Sequence, residues 1–70
     1  MTRFEVTKTV EAVKLSKRTM RVLTGIKETI PYGSVVSDVT HERGNVRFTY
    51  LGEPFEGPED QIGSALREIK

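Results

Sequence analysis

Serine, aspartate and histidine fall within five residues at Ser37-Asp38-Val39-Thr40-His41. These are the side-chain types that acyl-transfer enzymes use as nucleophile, orienting carboxylate and general base. The spacing opposes that use. On an extended chain successive side chains alternate between faces, so Ser37, Val39 and His41 point one way and Asp38 the other. Working triads converge from separate elements, whereas all three groups here share one. His41 is the single histidine, and the chain has no cysteine. Transition-metal sites built on several His or Cys ligands therefore lack their donor set. Glu53, Glu56, Glu59 and Asp60 form an acidic cluster. It lacks the repeated Asp/Asn spacing around a central glycine that calcium loops use. The glycines are scattered among separate turns, so no phosphate-cradling loop can be drawn. The chain is read as non-enzymatic, with neither metal nor cofactor.

Charge is the remaining chemical resource. Eleven Lys+Arg stand against ten Asp+Glu, a net of +1. Residues 1–30 hold seven cations and three carboxylates, a net of +4, and residues 31–70 hold four cations and seven carboxylates, a net of −3. Lys14, Lys17, Arg18 and Arg21 form the densest basic segment. Clustered cations of this kind neutralise phosphates by counterion release, whatever the base sequence. Arg47, beside Phe48 and Tyr50, would extend such a surface. Single-stranded nucleic acid also needs exposed aromatic rings, and Phe48 and Tyr50 are placed on a buried face by parity. A second reading pairs the two halves electrostatically, aligning subunits or steering a charged protein partner. The leading expectation is a small interaction module that binds a protein or itself. A nucleic-acid-binding regulator using Lys14, Lys17, Arg18 and Arg21 is the alternative.

Seventy residues make one domain, 1–70, with little apolar material left over for a deep cavity. Burial of a shared face in an oligomer would ease that shortage. Apolar runs are two residues long, so no membrane span or secretory leader can be placed, and a cytoplasmic location is expected.

Within the domain, Ile62, Ala65, Leu66 and Ile69 recur at helical spacing behind Pro58, Glu59 and Asp60, which predicts a helix over about 58–69. Gly63 is its weak point. Val35–Thr40 and the alternating Val46, Phe48 and Tyr50 predict a hairpin around a loop at 41–45 containing Gly44 and Asn45. Phe55 starts a short strand or returns to the core. Phe4, Val6, Val10 and Ala12 share one parity, with Lys8 the exception, predicting a strand through about residue 12.

Residues 17–30 decide the fold. As a helix, Met20, Leu23, Ile26 and Ile30 form one stripe, with Ser16 available as cap and Pro31 as stop. As extended chain, Met20, Val22, Ile26 and Ile30 share parity. Thr19, Val22, Thr24, Ile26, Thr29 and Ile30 favour strand, broken at Gly25.

Read as strands, the stretch from Thr19 through Ile30-Pro31-Tyr32-Gly33-Ser34-Val35 and Val46-Arg47-Phe48 to Phe55 resembles an SH3-like small barrel. That likeness covers residues 18–60 and is one of architecture. The fold class expected is α+β, a strand-rich antiparallel sheet or SH3-like barrel with a C-terminal helix. A two-layer β-α-β-β-α arrangement follows if 17–30 is helical. Ile30-Pro31-Tyr32-Gly33 is also similar to a tetrapeptide of DNA-repair alkyltransferases. No cysteine is present to accept an alkyl group, so the segment is read as a turn.

Overall fold

Alternation between apolar and polar side chains, more than any helical period, organises this chain. A computed structural model describes residues 2–19 and 21–69, with the backbone alone over 22–26. Seven strands follow in order: β1 (Arg3–Val6), β2 (Val10–Leu15), β3 (Val22–Ile30), β4 (Val35–Glu42), β5 (Asn45–Tyr50), β6 (Glu53–Pro58) and β7 (Leu66–Ile69). A four-residue helix, α1 (Glu59–Ile62), and one 3₁₀ turn at Gly63–Ala65 separate β6 from β7. All pairings are antiparallel, in the order β3-β2-β6-β5-β4-β1-β7. The sheet curls into a half-barrel whose edges are β3 and β7. The protein is mostly β, with a single short helix among the described residues.

The even-numbered parity read from the N-terminal segment is the buried one. Val6, Val10 and Ala12 are buried and Phe4 packs on the same cluster, which continues through Ile30, Val36, Val46, Phe48, Phe55, Ile62 and Ala65. Lys8 breaks the parity because the segment is two strands joined by Thr7-Lys8-Thr9. Paired across β5 and β6, Phe48 and Phe55 stack with ring centroids 5.9 Å apart, and Tyr50 tilts onto Phe55 at 6.1 Å. The expected hairpin is present and longer than read, closed by a two-residue turn at Arg43-Gly44.

Three expectations need correction. The helical reading of 17–30, and the β-α-β-β-α alternative with it, fails because Val22–Ile30 is one strand laid along β2. Its extended form continues as one strand through Gly25, but the ladder with β2 shifts register around that residue, between the Val13↔Lys27 and Leu15↔Val22 pairs. Met20 lies outside the described residues, and the side chains of Val22, Leu23 and Ile26 lie outside the described side chains. Pro31–Ser34 is the turn read from its Pro and Gly, not the strand that the SH3-like likeness ran through it. It is fastened to the β1–β2 junction by the Gly33 amide donating to Val6 O at 2.8 Å and the Tyr32 amide donating to Thr9 Oγ1 at 3.2 Å.

The helix expected over 58–69 is the third. Only Glu59–Ile62 is α-helical, and Leu66–Ile69 is a strand paired with β1 from Arg3↔Ile69 to Val6↔Leu66. One edge of β1 would otherwise have no ladder partner, and unmatched backbone groups beside a core are costly. Ile62 and Ala65 do bury their side chains as the stripe requires. Ile69, the far end of that stripe, is 37% exposed. Four apolar residues at helical spacing thus served three different elements, α1, the 3₁₀ turn and β7.

Candidate functional site

The basic segment is carried by the β2–β3 hairpin. Lys14 projects from β2, while Lys17, Arg18 and Arg21 sit in or beside its tip. The tip is tied by local bonds: the Ser16 amide donates to Arg21 O at 2.8 Å, and the Arg18 amide donates to Ser16 Oγ at 3.2 Å. The four cations are therefore neighbours on one hairpin, but they are not equivalent. Glu53, at the start of β6, lies 3.7 Å from Lys14 Nζ and 3.4 Å from Lys17 Nζ. Among the described residues no carboxylate lies within ion-pair distance of Arg18 or Arg21.

The charge asymmetry of the two halves is thus partly consumed within the fold. Glu53 takes two cations of the first half, whereas Arg67 on β7 pairs with Glu5 on β1, the minority charge of each half, and leaves the asymmetry in place. Arg47 does not extend the basic surface. Its Nε donates to Glu56 at 2.8 Å and its Nη1 lies 3.1 Å from Glu42, joining β4, β5 and β6. The hydrogen bond to Glu56 raises the guanidinium pKa above its ordinary value; burial opposes this, and Glu42 adds to it.

Ser37, Asp38 and His41 are not brought together. A bulge falls in β4 between Ser37 and Thr40, with Asp38 at φ 53, a conformation that a short polar side chain tolerates. His41 Nδ1 lies 2.9 Å from Glu59 Oε1, on the start of α1. The Glu59 amide in turn donates to Gly44 O at 2.9 Å, so this contact anchors α1 to the β4–β5 turn. No group of three or more potential metal ligands occurs among the described residues.

The β5–β6 connection, which the sequence reads as a turn over Leu51-Gly52-Glu53-Pro54, is a turn, and it holds an exposed side chain that the sequence did not single out. Tyr50 pairs with Glu53, leaving Leu51-Gly52 as a two-residue connection with φ 52 and 77. Two positive φ values mark a turn of type I′ form, for which Asn-Gly is the favoured pair. Leucine in that position suffers the Cβ–carbonyl crowding of the left-handed region, about 1–2 kcal/mol. Leu51 is also 82% exposed. It stands on the lip of a groove of about 210 Å³ lined by Lys14, Glu28, Thr29, Ile30, Tyr50, Glu53 and Phe55. Leu-Gly where Asn-Gly is expected, between two alternating runs, is the signal that could have found it.

Ile30 and Phe55 lie buried beneath the groove, Tyr50 is half-buried at its side, and the rim carries both signs. No protein family, curated protein or solved structure matches the chain. Of the four cations singled out from the sequence, Lys14 lines the groove, Lys17 reaches it through Glu53, and Arg18 and Arg21 stand apart at the hairpin tip. Among the described residues no helix is long and apolar enough to cross a membrane.

Proposed function

We propose that this chain is a non-catalytic interaction module of the SH3-like small-barrel type, binding a protein partner or a second copy of itself in the groove beneath Leu51. The likeness is supported by the β4–β5–β6 meander followed, after the short α1, by one 3₁₀ turn and a last strand that returns to pair with β1. The β2–β3 hairpin is an addition to that plan, and the sheet stays open at β3.

Leu51 carries the reading. Backbone strain persists where something else repays it, and strained positions cluster at ligand clamps and functional turns. A large apolar side chain held out in water at a strained φ, beside a groove with a charged rim, suits recognition better than it suits folding. The surrounding groups also suit binding better than chemistry, since among the described residues no nucleophile, base and orienting group converge there.

The nucleic-acid alternative is weighed by the same geometry. If all four cations met phosphates, the logarithm of the DNA-binding constant would fall with the logarithm of salt with a slope of about −3.6; with Lys14 and Lys17 held by Glu53 the slope is roughly −1.8. Retention on a DNA column, measured across a salt series for the native chain and for a variant with Lys14, Lys17, Arg18 and Arg21 all replaced by Ala, separates the two. Weak, shallow retention is expected. Tight retention with the steeper slope, abolished in the fourfold variant, would replace the proposed function with the nucleic-acid one.

A further inference from the structure

The open sheet has two edges, β3 and β7, and they are built differently. β7 has four residues, of which Arg67 and Glu68 are charged. Short, charged edges resist further pairing. β3 has nine residues, no proline and an uncharged run from Val22 to Ile26. Its one lysine, Lys27, falls outside that run. A long uncharged edge presents a row of amides and carbonyls that templates another strand. The paired side of β3 is also incompletely matched. Between the Val13↔Lys27 and Leu15↔Val22 pairs, Leu23, Thr24, Gly25 and Ile26 stand against Lys14 alone. Backbone groups in that stretch gain most from a partner on the open side.

We propose that β3 pairs antiparallel with β3 of a second copy of the chain, continuing the sheet across a two-fold axis. This contact goes beyond the reading of the groove beneath Leu51 and does not depend on it. A two-fold perpendicular to the sheet keeps like faces together, so the face that buries Ile30 is continuous across both copies. Pairing Val22 with the partner's Ile30 uses the whole strand and sets Ile26 on the axis. Lys27 then lies opposite the partner's Gly25, and Glu28 opposite the partner's Thr24, so no charge directly faces its own sign. Sliding by two residues either way loses two pairs, and one of those slides sets Lys27 against Lys27.

The charges favour a second copy over a foreign strand. β3 bears one charge of each sign, so its edge selects neither an acidic nor a basic segment. Antiparallel pairing also separates the two cationic hairpin tips. Arg18 and Arg21, with no carboxylate in ion-pair distance among the described residues, precede Val22. The two copies of Val22 lie at opposite ends of the pair, about 27 Å apart at 3.4 Å per residue. A strand pair alone is smaller than a standard interface of about 800 Å² per partner, so the association is reversible.

Sedimentation velocity on the full chain, from low to high micromolar concentration, tests this together with amide exchange. The native chain is expected to shift from monomer to dimer, and the amides of Leu23–Ile26 to exchange more slowly at the higher concentration. Thr24→Glu, set against the partner's Glu28 twice in the dimer, is expected to weaken it roughly two- to thirty-fold. Thr24→Lys should strengthen it, and Thr24→Glu with Glu28→Lys should restore it. A defect in folding would move both Thr24 variants the same way. A native chain that stays monomeric overturns the proposal, as does a dimer whose Leu23–Ile26 amides exchange at the monomer rate. Equal effects of Thr24→Glu and Thr24→Lys on the dimer overturn it too. A dimer indifferent to the Thr24 variants but lost in Leu51→Asn would place the contact at the groove instead.

Discussion

Gly57 sits in β6 where α1 packs down on the sheet, and its replacement by alanine tests whether that packing is as close as the structure shows. A Cβ added there would lie 2.5 Å from Ile62 Cδ1 and 2.8 Å from Ile62 Cγ1, with Glu11 O at 3.4 Å. The end of an isoleucine could swing aside in open space. Ile62 is fully buried, however, and its branched Cβ restricts χ1, so the clash must push α1 away from β6. Overpacking of this kind costs about 1–3 kcal/mol. Gly57 does not have a positive φ, so alanine also recovers about 0.4–1 kcal/mol by restricting the unfolded chain. The net expectation is a loss of about 1–2 kcal/mol, or a melting temperature lower by roughly 5–15 °C for a domain of this size. Thermal unfolding followed by circular dichroism would read it. Ile62→Val removes Cδ1 while keeping a γ carbon, costs about 1 kcal/mol alone, and should partly rescue Gly57→Ala. The double variant should therefore be more stable than additivity requires by about 0.5 kcal/mol or more. If Gly57→Ala melts at or above the native temperature, or if the two losses simply add, α1 is not seated on Gly57 as described.

Gly63 offers the opposite case in the same segment. It is right-handed at φ −58 and ψ −37, and an added Cβ meets only Glu59 Cγ at 3.4 Å. Gly63→Ala should leave the fold intact and raise stability by about 0.4–1 kcal/mol in the same melting assay; a loss would show that the 3₁₀ turn needs glycine. Secondary chemical shifts at Leu66–Ile69 should be extended, with Glu59–Ile62 helical. Helical shifts through residue 69 would dissolve the β1–β7 pairing. The salt dependence of DNA retention and the concentration dependence of sedimentation test the functional readings in turn.

Local patterning determined a good part of this protein. Alternation at Val46, Phe48 and Tyr50, and the even parity of Phe4, Val6, Val10 and Ala12, marked the faces that the core took up, because a strand with one buried face leaves a period of two in any sequence. The absence of cysteine and the single histidine limited metal and triad chemistry before any geometry was known. Residues 17–30 were compatible with both periods. The decision fell to β2, whose Val10–Val13 run offers β3 a partner over Lys27–Ile30. Ile62, Ala65, Leu66 and Ile69 made a consistent helical stripe, yet the last four residues became strand because β1 had backbone groups to satisfy. Such demands come from residues sixty positions away and leave no periodic trace.

The candidate site divides the same way. The sequence located the cations Lys14, Lys17, Arg18 and Arg21, since charge is legible residue by residue. Whether a cation faces water or a carboxylate depends on what the fold sets beside it. Only the tertiary structure decided that Glu53 holds two of the four, that Glu56 and Glu42 bind Arg47, and that Leu51 is left in water above a groove. Ion pairs and exposure are distances between segments far apart in the chain, and composition carries no record of them.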